Sequence, residues 1–310
     1  MFRGVLLGPQ QAARWAVPKD PNGSLTQVID LHTHSTVSDG TDPPQRIPEL
    51  AALVGCRAVA LTDHDSVAGL PAARRRADEL GIELVPGCEI SCRPVGTGGM
   101  HVLVYFVEDD GGPLAEELGR LREDRRRRNV ALVDRMVSLG LPVTYQEVAD
   151  IAGGEEGMGR PHFATALVRH GVVGSVQEAF DRYLANGGPA YVPKSRLDAI
   201  DVARLARASG GVAVLAHPYS LDLEPDELAR TVGELAEEGF AGIEALYGRY
   251  SPRQRQDLVN LADRFDLVAT GGSDHHGTIK PDLTVGTGTG DLKVPDRVLD
   301  QLASRRPVAA

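Results

Sequence analysis

Short runs that are apolar on both faces alternate along this chain with longer stretches whose apolar residues recur every three to four positions. Seven runs read as strands: Gln27 to Leu31, Ala58 to Leu61, Ile82 to Val85, His101 to Phe106, Gly211 to Ala216, Gly242 to Ala245 and Leu267 to Thr270. Helical periodicity fills most intervals between them, at Ile47 to Val54, Ala68 to Leu80, Ile200 to Ala208, Pro225 to Glu238 and Ser251 to Phe265. A last helix is expected from Val294 to Ala303. Strand, helix, strand in repetition implies parallel strands joined by crossovers, so the fold class is α/β. Strands apolar on both faces suit a sheet covered on both sides.

The rhythm breaks between about residues 110 and 205. Leu114 to Leu139 is one long helical pattern, followed by shorter ones at Tyr145 to Ile151, His162 to His170 and Val176 to Leu184. The expected division is an N-terminal arm at 1–25, a main domain built from 26–109 and 206–310, and a helical insertion, or cap, at 110–205. The run Arg125 to Arg128 inside the long helix is flanked by acids and reads as a solvated face.

Composition narrows the class. The net charge of -10 argues against a surface for duplex DNA, though not against a small anionic substrate. No apolar run reaches the length of a membrane span, and Val5-Leu6-Leu7 is too short for a signal core, so a soluble cytoplasmic protein is expected. Three cysteines, Cys56, Cys88 and Cys92, read as reduced thiols of the core. Oligomeric state is not legible.

Polar residues gather where the strands end. Two histidines, His32 and His34, follow the first strand at a spacing that aims both side chains one way, and Asp39 can fold back from the next turn. His64, Glu89, His217, Asp274 and His276 each follow a later strand, and His101 begins one. In α/β barrels the C-terminal strand ends build the active site. Six of the chain's nine histidines fall in this set. Imidazoles with carboxylates suit manganese, iron or zinc, and nine such donors suit two or three divalent ions.

The motifs Asp30-Leu31-His32-Thr33-His34, Leu61-Thr62-Asp63-His64-Asp65, Pro86-Gly87-Cys88-Glu89, Ala216-His217-Pro218 and Gly272-Ser273-Asp274-His275-His276-Gly277 resemble those of the PHP (polymerase and histidinol phosphatase) superfamily. The resemblance implies a distorted seven-stranded β/α barrel with a trinuclear metal site. Its ligand positions fall on His32, His34, Asp39, His64, Glu89, His101, His217, Asp274 and His276, with none substituted. The opening motif, the insertion and Gly159-Arg160-Pro161-His162-Phe163-Ala164 look most like the stand-alone phosphoesterases. That likeness implies removal of the 3′-phosphate from 3′,5′-nucleoside bisphosphates by metal-activated water. Rival readings are a histidinol-phosphate-type phosphatase, a 5′-3′ exonuclease on short RNA, and a non-catalytic nucleotide-binding module.

Residues outside the ligand set have two readings each. Arg160 is either a phosphate ligand, as the resemblance suggests, or a surface arginine at a helix start. His162 stands beside it as a substrate-binding candidate. Lys194 is a solvated loop lysine unless it faces the metals, and Arg196 shares that position. Asp65 is a catalytic candidate for moving a proton at the leaving group. Asp30 could orient a ligand histidine. His275 should point away from its two neighbours, and His170 suits a helix C-terminus.

Overall fold

A computed structural model of the chain describes residues 28–107, 112–155, 157–193 and 195–307. The expected arm at 1–25 and the candidate Lys194 lie outside the described residues. The first half of the fold runs β1 (Val28–Asp30), α1 (Arg46–Leu53), β2 (Cys56–Leu61), α2 (Leu70–Leu80), β3 (Glu83–Cys92) and β4 (Met100–Tyr105). Four helices follow, α3 (Pro113–Ser138), α4 (Tyr145–Ala152), α5 (Arg160–Arg169) and α6 (Val176–Ala179), and the last passes directly into a π-helical turn at Phe180–Leu184. The alternation resumes with α7 (Ala199–Ala208), β5 (Val212–Leu215), α8 (Pro225–Glu237), β6 (Gly242–Tyr247), α9 (Pro252–Arg264) and β7 (Val268–Gly272). The end is β8 (Val294–Pro295) and α10 (Arg297–Ser304).

The strands form one sheet in the order β7-β6-β5-β4-β3-β2-β1-β8. Its far end curls back: Leu31 N–H donates to Gly271 O at 3.1 Å, and Thr33 bridges His275 in parallel. The result is a nearly closed α/β barrel. Gly272 permits the closure, because a Cβ there would sit 2.4 Å from His32 Cβ.

Two expectations about the sheet change. Among the described residues it has eight strands, not seven, because Val294 and Pro295 pair antiparallel with β1 before the last helix begins. Pro295 lacks an N–H and fits a short edge strand, whereas the helical pattern there holds only from Arg297. Nor is the sheet wholly parallel. β4 runs antiparallel to both β3 and β5. The turn between β3 and β4 has too few residues for a crossover, so the chain can only fold back on itself. β3 also continues past Pro86, pairing with β2 in parallel up to that residue and with β4 from Gly87 to Cys92.

Alternate residues of the strands feed two apolar layers, one on each face of the sheet. One layer takes Val59, Leu61, Val102, Val104, Ala213 and Leu215 and packs against α1, α2, α7, α8 and α9. The other takes Ala58, Ala60, Leu103, Tyr105, Val212 and Val214 and packs against α10. The three cysteines are buried within the first layer and form no disulfide. A third core belongs to the helical block alone. Leu132 and Met136 of α3 join Val148, Phe163, Leu167, Ala179 and Leu184 there. α3 therefore serves two cores, since its first turns bury Leu114, Leu118 and Leu121 against the sheet. Among the described residues no helix is long and apolar enough to cross a membrane.

Candidate functional site

The reversal of β4 brings its first residues to the end of the barrel where the parallel strands finish. His101 accordingly joins the residues that follow β1, β2, β5 and β7, and all nine ligand candidates meet. Three of the backbones that deliver polar groups here are left-handed: Asp65 (φ 51°), His217 (φ 27°) and Asp274 (φ 56°). Such conformations are costly for residues with a Cβ and collect at functional sites.

Glu89 is the hub. Its Oε2 lies 3.3 Å from His32 Nε2, 3.1 Å from His34 Nε2 and 3.2 Å from His64 Nδ1. Its Oε1 lies 2.9 Å from His101 Nδ1 and 3.0 Å from His217 Nε2. Burial opposes its charge, but His64, His101 and His32 outweigh burial and hold the carboxyl well below the usual range. A second focus is Asp274 Oδ1, at 3.6, 3.5 and 3.3 Å from His32 Nε2, His34 Nε2 and His276 Nδ1. Asp39, 32 % exposed, reaches in from the turn after β1, with Oδ1 3.2 Å from His276 Nε2 and Oδ2 3.8 Å from His64 Nε2.

Three sets of donor atoms each fall within 4.8 Å of one another: His34, Asp39, His64 and His276; His32, His34 and Asp274; His64, Glu89 and His101. His217 stands outside these sets but on Glu89. His32 Nε2 and His34 Nε2 lie 3.1 Å apart, at hydrogen-bond distance when one ring carries the proton between them. Asp39 Oδ1 and His64 Nδ1 are buried, and despite their close neighbours neither makes an aligned hydrogen bond. Buried lone pairs converging without donors fit divalent cations.

A supporting ring fixes these side chains. Glu244, fully buried in β6, places Oε1 2.9 Å from His32 Nδ1 and accepts from His217 N–H at 2.8 Å through Oε2. Ser220 Oγ sits 2.7 Å from His217 Nδ1. Asp63 accepts from Ser35 N–H, Ser35 Oγ and Ser38 Oγ, and Ser38 Oγ in turn lies 3.3 Å from His34 Nδ1. Tyr247 OH and Lys280 Nζ donate to Asp274 Oδ2. Asp30 holds backbone, not a ring: it accepts from the N–H groups of His32, Ser273 and Gly286. Glu244 had a sequence signal, a lone carboxylate inside an apolar strand.

His275 points away, between Leu283 O and Asp42 Oδ2. His170 ends α5 and pairs with Glu147 at 2.9 Å.

The arginine run is not a uniformly solvated face. Arg126 and Arg127 do turn outward onto Glu123. Arg125 and Arg128, three positions apart, turn inward, because the opposite side of this stretch of helix faces water. Arg125, 12 % exposed, donates to Asp65 Oδ2 and His64 O. Burial, then the charges of Arg125 and Arg160, bring Arg128 down to about 10, still protonated at neutral pH. Asp65 also accepts from Ser91 N–H, so both of its oxygens are engaged.

Arg125, Arg128, Arg160 and Arg196 line a cavity of about 240 Å³ whose other walls include Ser38, Asp39, His64 and His101. Arg160, first residue of α5, donates to Leu184 O at 3.0 Å and lies over the rings of Phe180 and Tyr191. The π-helical turn supplies both Phe180 and Leu184, a use that such turns often have at functional sites. His162 accepts from Gly159 N–H through Nδ1, which caps α5.

A family model described as the PHP domain matches residues 30–150. A phosphoribosyl 1,2-cyclic phosphate 1,2-diphosphodiesterase of Eggerthella lenta is 35% identical, over 81% of this chain and 94% of its own. A 5'-3' exoribonuclease of Haemophilus influenzae is 33% identical, over 81% and 91%. A 3',5'-nucleoside bisphosphate phosphatase of Chromobacterium violaceum is 32% identical, over 80% and 87%. A solved structure from Bifidobacterium adolescentis, provisionally described as a metal-dependent phosphoesterase, superposes with a TM-score of 0.78 at 30% identity, over 91% of this chain and 97% of its own.

Proposed function

This chain belongs to the PHP domain family and is a metal-dependent phosphoesterase, and on that premise we propose that it removes the 3′-phosphate from 3′,5′-nucleoside bisphosphates. The observation that carries the reading is the arginine-lined cavity that shares His64, His101 and Asp39 with the donor cluster. A substrate with one phosphate at the cluster and a second phosphate among the arginines fits that pair of adjoining sites.

In this reading His32, His34, Asp39, His64, Glu89, His101, His217, Asp274 and His276 hold two or three ions of manganese, iron or zinc. When bound, such ions lower the pKa of water and neutralise charge on phosphoryl oxygens. The chain's own groups orient and bind. A proton on His32 Nδ1 donated to Glu244 leaves Nε2 as the free lone pair, and Ser220 acts in the same way on His217. Arg160, Arg128 and Arg196 take the non-reacting phosphate, for which planar guanidinium groups are suited. Asp65 positions Arg125 at the cavity wall. His162 shapes the same wall by capping α5, and Lys194 remains the weakest phosphate candidate. Residues 110–205 act as the cap that closes over the substrate, and Gly157 lets them approach, since a Cβ there would lie 2.8 Å from Ser38 O.

The exonuclease reading on short RNA has the support of the Haemophilus influenzae relative. Chromatography of the products formed by manganese-loaded protein separates the cases, with free phosphate expected from a monoester, a ring-opened monoester from the cyclic ester and mononucleotides from the RNA. The panel is adenosine 3′,5′-bisphosphate, 5′-AMP, histidinol phosphate, phosphoribosyl 1,2-cyclic phosphate and a short 5′-phosphorylated RNA. Strong preference for the bisphosphate is expected; preference for any other member would replace it as the substrate.

A further inference from the structure

A second cavity, of about 480 Å³, borders the same cluster. It shares His64 and His101 with the arginine cavity and adds Glu89, His217 and Asp274. Its outer wall is of a different chemistry: Tyr219, Tyr247 and Tyr250, with Arg249, Gln254 and Lys280 at the edge. The rings form a continuous series. His217 meets Tyr247 edge-on with centroids 5.6 Å apart, Tyr247 meets Tyr250 at 4.8 Å, and Tyr250 meets Tyr219 at 5.1 Å. Tyr250 OH accepts from Tyr219 N–H at 2.9 Å, which ties the turn after His217 to the end of β6.

The three tyrosines are not equivalent. Tyr247 is buried, and its hydroxyl is committed to Asp274. Tyr219 and Tyr250 are only half-buried, and both border the open cavity. Aromatic faces beside a phosphate-handling cluster stack planar bases with little regard to sequence. We propose that the Tyr219–Tyr250 wall is a stacking subsite for the nucleobase of the substrate, so that one lobe of the site holds a phosphate and the other a base. This rests on the nucleotide reading above and assigns the base its place within it.

The test uses the manganese-loaded chain, with Tyr219→Leu, Tyr250→Leu and the conservative Tyr219→Phe. Two quantities are read: binding of adenosine by equilibrium dialysis, and kcat/KM for adenosine 3′,5′-bisphosphate relative to its base-free counterpart, 1,4-anhydroribitol 3,5-bisphosphate. Each leucine variant is expected to weaken adenosine binding by about tenfold and to reduce the preference for the base-bearing ester by a similar factor. Tyr219→Phe keeps both near the wild-type values. Adenosine that fails to bind, or that binds the leucine variants as tightly as the wild type, overturns the subsite. Equal losses on both esters also overturn it, because they would place the rings in support of His217 alone. If the bisphosphate is not cleaved but adenosine binding still depends on Tyr219, only the substrate assignment falls.

Discussion

Glu244 decides which nitrogen of His32 faces the cluster, and with it how well the cluster holds an ion. Glu244→Gln keeps the shape and loses the charge. Metal affinity, measured by competition with a chelating dye, is expected to fall about 10- to 100-fold, the usual cost of losing such a partner. The cluster also predicts proton release. Burial works against a charged His32, but Glu244, Glu89 and Asp274 raise its pKa well above the ordinary value, so the metal-free ring carries its second proton at neutral pH. Burial and the charge on His276 hold His34 well below, and it stays neutral. An ion taking His32 Nε2 must displace a proton, so affinity rises with pH and weakens on acidification. Calorimetry in buffers of different ionisation enthalpy should show that release; a buffer-independent heat would contradict it. Arg160→Ala is expected to raise KM for the bisphosphate about 10- to 100-fold, as for the loss of a charge-assisted contact, while Arg127→Ala on the solvent side leaves KM unchanged.

Among the elements, β4 and α3 separate what a sequence displays from what packing adds. Most of the nine cluster residues were legible because they end an apolar run, His101 because it begins one and Asp39 because it follows the His32-His34 pair, and the structure brings the nine together. The direction of β4 escaped the strand-helix rhythm, although the short Gly96 to Gly99 connection already required a hairpin. β8 escaped because two residues carry no period. In α3, four consecutive arginines look alike on paper, and only docking of the helix on two cores turns Arg125 and Arg128 inward. Phe163 tests how separate the helical core is. Truncating such a side chain costs about 3–5 kcal/mol. For Phe163→Ala, amide exchange is expected to quicken across 132–190 and to change little in β2, β3 and β6; uniform quickening would mean that the two cores unfold together.

Across the whole molecule, a net charge of -10 coexists with a pocket of inward arginines and a cluster rich in carboxylates. Chelation should abolish phosphate release and lower the melting temperature, because ions that bind only the folded chain stabilise it. Added manganese should restore both, and activity that survives full chelation would refute the assignment of the cluster. α3 carries a further consequence. It is the stem on which the helical core of residues 132–190 is mounted, while Glu89 and its imidazoles stand on strands that the helical core does not share. Remodelling of the block beyond Arg128 would therefore trade one clientele of phosphate esters for another while the hydrolytic centre, and the Arg125 bonds to Asp65 and His64 O, stay as they are. An engineer could graft in α3 just after Arg128 and again just before Asp198.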